Sequence, residues 1–266
     1  MISVVLAVHN EANNIKRCLD SVKDFADEII VVDGESTDET VKIAQSFKAK
    51  VINTTNKANF HINKQLGLDA AKGELVLQLD ADEVVDIELA KFIDKIHEEI
   101  PELVRDDNAS SHKAWWLKRK NLFLGRWLKK GGQYPDPVIR LYVNGFARLP
   151  SRDVHEQMQV DGRVGWAEGH LLHYSNPTFA DYLEKFNRYT SFKAQQLENE
   201  LIPKGPFWGL INSINYLLIK PFATWFSLYL RHKGFMDGFP GFVFALFSGL
   251  HHLVAYLKLW ELKRKS

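Results

Sequence analysis

The stretch Leu75-Val-Leu-Gln-Leu-Asp-Ala-Asp-Glu83 decides the fold of this chain. The largely apolar run Leu75 to Leu79 predicts a buried strand, and three carboxylates stand at its end. Carboxylates at the C-terminal end of a buried parallel strand lie at the mouth of an open α/β sheet, where such folds bind ligands. Asp80 and Asp82 are one residue apart, so both can serve one divalent cation, directly or through water. The alternative is a strand followed by a solvated acidic turn, and the rest of the sequence has to decide between the two.

Composition and charge indicate a globular protein with an anionic partner. The chain has 266 residues, of which 45% are hydrophobic and 25% charged, enough for a real core. Residues 1–100 carry 11 Lys or Arg against 19 Asp or Glu, whereas residues 201–266 carry 8 against 2. A basic, aromatic-rich tail favours an anionic partner nearby.

The cysteine count and the N-terminus indicate the compartment. Cys18 is the only cysteine, which excludes an internal disulfide. No signal-peptide pattern precedes the first strand, so we expect a cytoplasmic protein.

Strands and helices alternate through the first hundred residues. Apolar runs at 2–8, 28–32 and 75–79 predict strands, with apolar residues at helical spacing between them. Asn10 is a predicted N-cap of the first helix, and Ser36-Thr-Asp-Glu39 has the spacing of a capping box for the second. This alternation predicts a parallel sheet whose strand ends share one edge. No GxGxxG follows the first strand and no GxxxxGK[ST] occurs, which argues against a dinucleotide-binding or P-loop protein.

Four motifs occur in a characteristic order and spacing. They are Ser3-Val-Val-Leu-Ala-Val-His-Asn-Glu11, Ile30-Val-Val-Asp-Gly-Glu-Ser-Thr-Asp-Glu-Thr40, Asn63-Lys-Gln-Leu-Gly67, and Lys72-Gly-Glu followed by Leu79-Asp-Ala-Asp-Glu83. Together they resemble the family 2 glycosyltransferases, inverting enzymes that use nucleotide sugars. The resemblance implies an α/β GT-A fold, a Rossmann-like mixed sheet flanked by helices.

The resemblance also implies roles for individual residues. Asp33 matches the acid that reads the nucleobase, and the loop with Val8, Asn10 and Glu11 matches the one against base and ribose. Lys64 matches a basic residue near the base or diphosphate. Asp80, Ala81 and Asp82 match the DxD motif, in which Asp80 contacts the nucleotide sugar and Asp82 a divalent metal, Mn²⁺ or Mg²⁺. Many members read Asp-Asp-Gly-Ser where this chain has Asp33-Gly-Glu-Ser36, so one acid of the nucleobase site is missing.

The second hundred residues are predicted to hold the acceptor side of the site. An inverting transfer needs a base that removes the proton of the attacking hydroxyl, and a carboxylate suits this role. The series Arg140-Leu-Tyr and Val154-His-Glu156 is similar to this region in bacterial lipopolysaccharide-core glycosyltransferases. We predict Glu156 as the base, with Asp153 as the second candidate.

Two further residues are candidates for the donor site. His173 is a candidate third metal ligand or a donor to the diphosphate, since several GT-A enzymes use a late histidine in this way. An imidazole ligand favours Mn²⁺ more than Mg²⁺. The alternative for His173 is a core residue. Arg140 is a candidate for binding the diphosphate or an acceptor phosphate.

The tail has a different character. We predict a GT-A catalytic domain over residues 1–176, with a nucleotide-sugar half (1–100) and an acceptor half (101–176), and a helical extension over 177–266. The apolar segments 207–230 and 239–260 are interrupted by Lys220-Pro221 and by Pro240, glycines and two histidines, unlike clean spanning helices. Aromatic helices with cations at their ends suit a membrane interface, and a helical cap or a homo-oligomer contact is the alternative.

The leading functional hypothesis is a metal-dependent inverting glycosyltransferase. It transfers a hexose, first of all glucose from UDP-glucose, to a membrane glycolipid such as the lipopolysaccharide inner core, while attached peripherally to the cytoplasmic face of the inner membrane. The alternatives are transfer to a polyprenyl phosphate or another cell-surface glycan, and a non-catalytic membrane protein that binds sugar nucleotides. No nucleic-acid partner is expected.

Overall fold

The computed structural model describes residues 1–57, 60–105, 111–150, 157–176, 178–201 and 206–265. The chain divides into two compact units. Unit 1 contains Met1–Arg119 and Asp136–His173, and unit 2 contains Lys120–Pro135 and Tyr174–Ser266. The segment 120–135 lies within the predicted catalytic domain 1–176 and groups with the C-terminal helices in unit 2.

Twelve strands are formed by the described residues. They are β1 (Ile2–Val8), β2 (Glu28–Gly34), β3 (Lys50–Thr54), β4 (Leu75–Leu79), β5 (Glu83–Val85), β6 (His112–Phe123), β7 (Arg126–Trp127), β8 (Asp136–Val143), β9 (Ala147–Arg148), β10 (Gln159–Val160), β11 (Arg163–Trp166) and β12 (Leu171–Asn176). The main sheet runs β3-β2-β1-β4-β8-β6-β12-β5, with β11 and β7 also paired to β6, and β9 pairs with β10. The pairs β3–β2, β2–β1 and β1–β4 are parallel, while β8 pairs antiparallel with β4 and β6. The predicted mixed α/β fold is confirmed.

The described part of unit 1 contains four helices: α1 (Ile15–Asp20), α2 (Thr40–Ser46), α3 (Phe60–Asp69) and α4 (Ile87–Arg105). Successive residues of a strand point to opposite faces of the sheet, so β1 serves two cores. Val4 and Leu6 pack with apolar residues of α1, α2 and α4, whereas Val5 packs with Leu68 of α3. The central strands are therefore covered on both faces, which explains their continuous apolar runs.

Two predicted helix caps are wrong. α1 begins at Ile15 with Asn14 at the N-cap position, so Asn10 does not cap it. Asn10 instead lies at φ 56°, a left-handed conformation that asparagine tolerates better than most residues. α2 begins at Thr40, and its N-cap Glu39 makes no side-chain capping bond. Asp38 binds the Thr40 N–H instead, so the predicted capping box does not form.

Unit 2 is mainly helical. It contains α5 (Phe179–Glu200), α6 (Pro206–Ile214), α7 (Lys220–Phe226) and α8 (Gly238–Lys265), with π-helical segments at Asn215–Ile219 and Ser227–Arg231 and a 3₁₀ turn at Gly234–Asp237. Thr178 caps α5 through a complete capping box with Asp181. One segment among the described residues, Gly234–Arg264, is long and apolar enough to cross a membrane by length and composition.

Candidate active site

The C-terminal ends of β1, β2 and β4 meet at one edge of the sheet. Val8 is paired with Asp33 in the β1–β2 register, and Leu6 is paired with Leu79 next to Asp80. Asp33 is buried, and its Oδ2 accepts a hydrogen bond from the Ser36 N–H at 3.1 Å. Its Oδ1 is also buried and has no hydrogen-bond partner among the described residues. A buried carboxylate oxygen without a partner is costly, which suits an oxygen kept for a ligand donor.

Asn63 lies against Gly34, the residue that follows Asp33 in β2, and the sequence alone predicts no role for it. A Cβ on Gly34 would lie 3.3 Å from Asn63 Nδ2. The Asn63 amide donates to the Thr55 carbonyl at 3.0 Å, while its Oδ1 is buried without a partner among the described residues. One sequence signal could have identified Asn63 as a site residue. It stands four residues before Gly67 in a helix, so the two residues lie on the same helix face, the one towards the sheet.

The loop after β1 is tied to the loop after β2. The Asn10 N–H donates to Ser36 Oγ at 2.8 Å, and the Thr37 N–H donates to Asn10 Oδ1 at 2.8 Å. The Glu11 N–H donates to Thr40 Oγ1 at 2.8 Å, and His9 Nδ1 lies 2.6 Å from the Gly34 carbonyl oxygen. The predicted site residues Asn10 and Glu11 therefore belong to one cross-linked pair of loops beside Asp33, and Val8 ends the strand that leads into them.

Asp80 lies between two cations, the buried Lys64 and the half-buried Arg140. Its Oδ1 is 2.5 Å from Lys64 Nζ, and its Oδ2 is 2.5 Å from Arg140 Nη2. Burial alone would raise the pKa of Asp80, but the charges of Arg140 and Lys64 outweigh burial and hold that pKa well below its usual range. Burial also lowers the pKa of Lys64, even though the Asp80 carboxylate opposes that change. Three predicted site residues thus form one ionic cluster, with Ala81 buried next to it.

Glu83 holds the acidic turn in place. It is 0% exposed, and its Oε2 accepts a hydrogen bond from the Asp80 N–H at 2.9 Å. Its Oε1 lies 3.3 Å from Arg119 Nη1 and 3.5 Å from Arg140 Nη2. Arg119 continues the network to Asp136 at 2.7 Å. Burial would lower the pKa of Arg119, but the charges of Glu83 and Asp136 outweigh it and raise that pKa.

The two predicted metal ligands lie next to each other. His173 Nε2 is 3.4 Å from Asp82 Oδ2, and both side chains are half-buried. The β5–β12 pairing sets His173 opposite Glu83, which brings its ring to Asp82. A carboxylate oxygen and an imidazole nitrogen are a donor pair that divalent cations such as Mn²⁺ accept, so the residues fit the predicted metal.

Glu156 and Asp153, the candidates for the base, lie outside the described residues, and their role stays a prediction. A second group of possible metal ligands, Asp86, Glu88 and His170, occurs elsewhere in unit 1, with ligand atoms within 4.8 Å of one another. Asp86 Oδ1 accepts from the Leu89 N–H at the start of α4, and Asp86 Oδ2 lies 3.0 Å from His170 Nδ1. Asp86 thus caps the start of α4 and contacts His170, so these contacts give the group a structural role.

A mixed α/β sheet with an acidic turn at the end of a central parallel strand is the architecture of a GT-A glycosyltransferase. The chain belongs to glycosyl transferase family 2, whose sequence model matches residues 3–158. This match spans β1 to the segment before β10 and includes all four motifs of the sequence analysis. The predicted family, fold class and enzyme class are thereby confirmed.

Two relatives of similar length are named as glycosyltransferases. The chain is 29% identical to an uncharacterized glycosyltransferase of Rickettsia typhi over 275 residues, covering all of this chain and 88% of the relative. It is 26% identical to the lipopolysaccharide core biosynthesis glycosyltransferase LpsC of Rhizobium meliloti, covering 98% of this chain and 92% of LpsC. Among solved structures, S. aureus TarS 1–349 in complex with UDP is 18% identical with a TM-score of 0.49, covering 98% of this chain and 88% of that one.

Proposed function

We propose that this chain is a metal-dependent inverting hexosyltransferase that uses a nucleotide-sugar donor, first of all UDP-glucose, and a membrane glycolipid acceptor. The observation that carries the proposal is the acidic turn after β4. There Asp80 is held by Lys64 and Arg140 while Asp82 lies 3.4 Å from His173. Such a turn offers carboxylates at fixed positions at the edge of the sheet where open α/β folds bind ligands.

Asp33 and Asn63 are the proposed nucleobase-binding residues. Both keep a buried side-chain oxygen without a partner among the described residues. Oxygen acceptors of this kind suit the N–H group of a pyrimidine ring, because a buried acceptor gains most from a donor that reaches it. The cross-linked loops at Asn10 and Ser36 would then hold the base and ribose in place.

Asp82 and His173 are the proposed metal ligands. When bound, a divalent cation supplies positive charge that stabilises a leaving diphosphate. The protein's own part is to fix the turn that carries Asp82, which it does through the buried carboxylate of Glu83. Arg140 and Lys64 are already engaged with Asp80, so their proposed role is to set the position of Asp80 and to add positive charge near the diphosphate.

Transfer requires one proton to move at the acceptor. The acceptor hydroxyl oxygen forms a bond to C1 of the sugar, the bond from C1 to the diphosphate oxygen breaks, and the hydroxyl proton passes to a base. Attack from the face opposite the leaving group inverts the configuration at C1 and gives a β-linkage. Glu156 is the proposed base, with Asp153 as the alternative.

The proposed acceptor is a glycolipid of the lipopolysaccharide inner core, reached from the cytoplasmic face of the inner membrane. Support comes from LpsC, which is named for lipopolysaccharide core biosynthesis and matches almost the whole chain. The basic, aromatic-rich helices of unit 2 also suit a protein that works at an anionic membrane surface.

The proposal is tested by release of UDP from UDP-glucose with Mn²⁺ or Mg²⁺ and purified lipid acceptors. Turnover with inner-core lipopolysaccharide, but not with the same molecule lacking its core sugars, is the expected result. Turnover only with polyprenyl phosphate would show that the acceptor is polyprenyl phosphate, and the proposed hexosyl transfer would stand. No metal-dependent binding in a thermal-shift screen of nucleotide sugars would reject the proposed metal-dependent use of a nucleotide-sugar donor.

A further inference from the structure

The chain from α6 to the second π-helical segment is one continuous helical run. It passes through α6, Asn215–Ile219, α7 and Ser227–Arg231 without a break. Tyr216 faces the inside of unit 2, where it packs with Ala255 and Leu259 of α8. On the opposite side of the run, large apolar side chains are exposed.

That opposite side is an exposed apolar stripe. Its members repeat at intervals of three or four residues, and each is exposed; they are Phe207, Ile211, Ile214, Leu218, Phe222, Phe226 and Leu230, called here the 207–230 stripe. Leu218 and Phe222, near its middle, are 66% and 65% exposed. A contiguous apolar surface of this length is uncommon on a soluble monomer and marks an interaction site.

The two π-helical segments keep the stripe straight. In an α-helix, residues four apart advance by about 40° beyond a full turn, so a stripe spaced by fours would wind around the helix. A π-helical turn closes from i to i+5 and therefore holds more residues per turn than an α-helical one. Each residue then rotates less about the helix axis, which offsets the drift of the stripe. The segments Asn215–Ile219 and Ser227–Arg231 fall within the stripe, so its members from Phe207 to Leu230 stay on one face.

α8 is a poorer membrane contact, although it has the greater hydropathy. No residue from Pro240 to Tyr256 is exposed, because α5 and α7 pack against this part of the helix. A Cβ on Gly249 would lie 2.5 Å from the Pro221 carbonyl oxygen, which shows how closely α7 and α8 approach. α8 also carries His252, whose Nε2 lies 3.1 Å from Thr224 Oγ1. The middle of α8 is therefore largely occupied by contacts within unit 2.

The charges beside the stripe decide what it binds. Residues 206–236 contain no Asp or Glu, while Lys220, Arg231 and Lys233 are all positive. Arg231 and Lys233 are exposed at the end of the stripe. A second copy of this chain would bring only like charges to these flanks, whereas lipid phosphates supply the opposite charge. Aromatic and leucine side chains with cations at the helix end are typical of helices lying in a membrane interface.

We infer that the 207–230 stripe docks on an anionic lipid bilayer, with the helical run lying in the plane of the interface. The inference rests on the proposed transfer to a membrane glycolipid, and it assigns the membrane contact to α6, α7 and the π-helical segments and not to a spanning α8. Burial of the stripe in the interface removes its apolar side chains from water, and the cations add attraction to the lipid phosphates.

The test is co-sedimentation of the full chain with vesicles of phosphatidylcholine alone and with added phosphatidylglycerol. Leu218→Glu/Phe222→Glu tests the stripe, and Leu218→Ser/Phe222→Ser tests it without added charge. Ile87→Glu/Phe192→Glu is the matched control, because both of these residues are exposed apolar side chains outside the stripe. Thermal unfolding checks that each variant is folded.

The wild type and the control are expected to bind anionic vesicles, while both stripe variants lose about tenfold or more of the vesicle affinity. Equal binding of stripe and control variants, or no binding of the wild type, would overturn the inference. If the wild type is a dimer, the stripe variants are monomers and vesicle binding is unchanged, the stripe is a dimer interface with a second copy of this chain. The vesicles hold no acceptor or nucleotide, so this result is independent of the glycosyltransferase test.

Discussion

His173 Nε2 and Asp82 Oδ2 lie 3.4 Å apart, although the two residues come from distant parts of the chain. The antiparallel pairing of β12 with β5 creates this contact by setting His173 opposite Glu83. Two potential ligands of different chemistry therefore meet at the end of the acidic turn. The contact sets two potential ligands side by side, which is the arrangement that the proposed metal site requires.

The first prediction concerns that pair. Asp82→Asn and His173→Gln should each weaken Mn²⁺-dependent binding of UDP by tenfold or more, because each removes a proposed ligand of the cation. Isothermal calorimetry with UDP, with and without Mn²⁺, measures the effect. Glu88→Gln, in the capping group of α4, is the control and should bind like the wild type. Unchanged affinity in both site variants would remove the metal assignment.

The second prediction separates binding from chemistry. Glu156→Gln should leave metal-dependent donor binding nearly intact and reduce turnover by at least 10²-fold, because a general base acts on the acceptor proton and not on the donor. UDP release and calorimetry on the same preparation measure both quantities. If Asp153→Asn loses turnover and Glu156→Gln does not, the base is Asp153. Equal loss of donor binding in both variants would reject either assignment.

The third prediction concerns Glu83. Glu83→Gln should lower the free energy of unfolding by about 3 kcal/mol, since it removes the charge that a buried network of Arg119 and Arg140 requires. Urea unfolding measures the loss. Asp20→Asn, which removes exposed ion pairs with Lys16 and Lys23, is the control and should change stability little. Similar stability of the Glu83 variant and the wild type would show that the network is not structural.

The parallel strands of the sheet could be predicted from the sequence because the apolar runs that indicate them are local patterns. Continuous apolar runs ending in Asp33 and Asp80 predict parallel strands, and the register of β1, β2 and β4 brings those ends together as expected. The helix starts were predicted less well. Asn10 and Ser36 looked like caps by residue type, but they bind each other's loop, a contact between segments that no local pattern reveals.

Long-range contacts also explain which parts of the site were missed. Arg119 stands in a run of cations and aromatics that resembles an exposed face. Only its position opposite Asp136 in the β6–β8 register shows that it supports Glu83. Asn63 was part of a recognised motif, but only the folded chain shows that its Oδ1 is buried and that its side chain lies against Gly34. Residues that support a site from another strand carry no periodic signal of their own.

The fourth prediction compares two glycines on helices. A Cβ on Gly67 would lie 2.6 Å from Val5 Cγ1 and 2.9 Å from Val32 Cγ2, so Gly67→Ala should destabilise unit 1 by about 1–3 kcal/mol. A Cβ on Gly209 of α6 meets nothing within 4 Å, so Gly209→Ala should be neutral or stabilising by up to about 1 kcal/mol. Urea unfolding of both variants measures the difference. A Gly67 variant as stable as the wild type would mean that α3 and the sheet can move apart.

The fifth prediction concerns the pH dependence of stability through His251 and His252 in α8. Burial lowers the pKa of both rings, and nearby cations lower it further: Lys193 and Lys258 for His251, and His251, Lys220 and Lys193 for His252. In the unfolded chain both rings take up protons as the pH falls through about 6.5. The unfolded state therefore binds more protons than the folded state below that pH, and stability falls as the pH decreases.

The measurement is the urea midpoint between pH 7.5 and 5. The wild type should lose stability below about pH 6.5, the ordinary pKa of histidine, and His251→Gln/His252→Gln should show a shallower loss over the same range. Above that range both rings are neutral in either state, so the wild type and the variant should run parallel there. In the wild type, His252 Nε2 lies 3.1 Å from Thr224 Oγ1. His252→Gln alone keeps a polar group near that oxygen but removes the ring that takes up a proton. This single variant therefore separates the effect of the contact from the effect of protonation. An identical pH slope in the double variant would mean that neither ring is held neutral by the fold of unit 2.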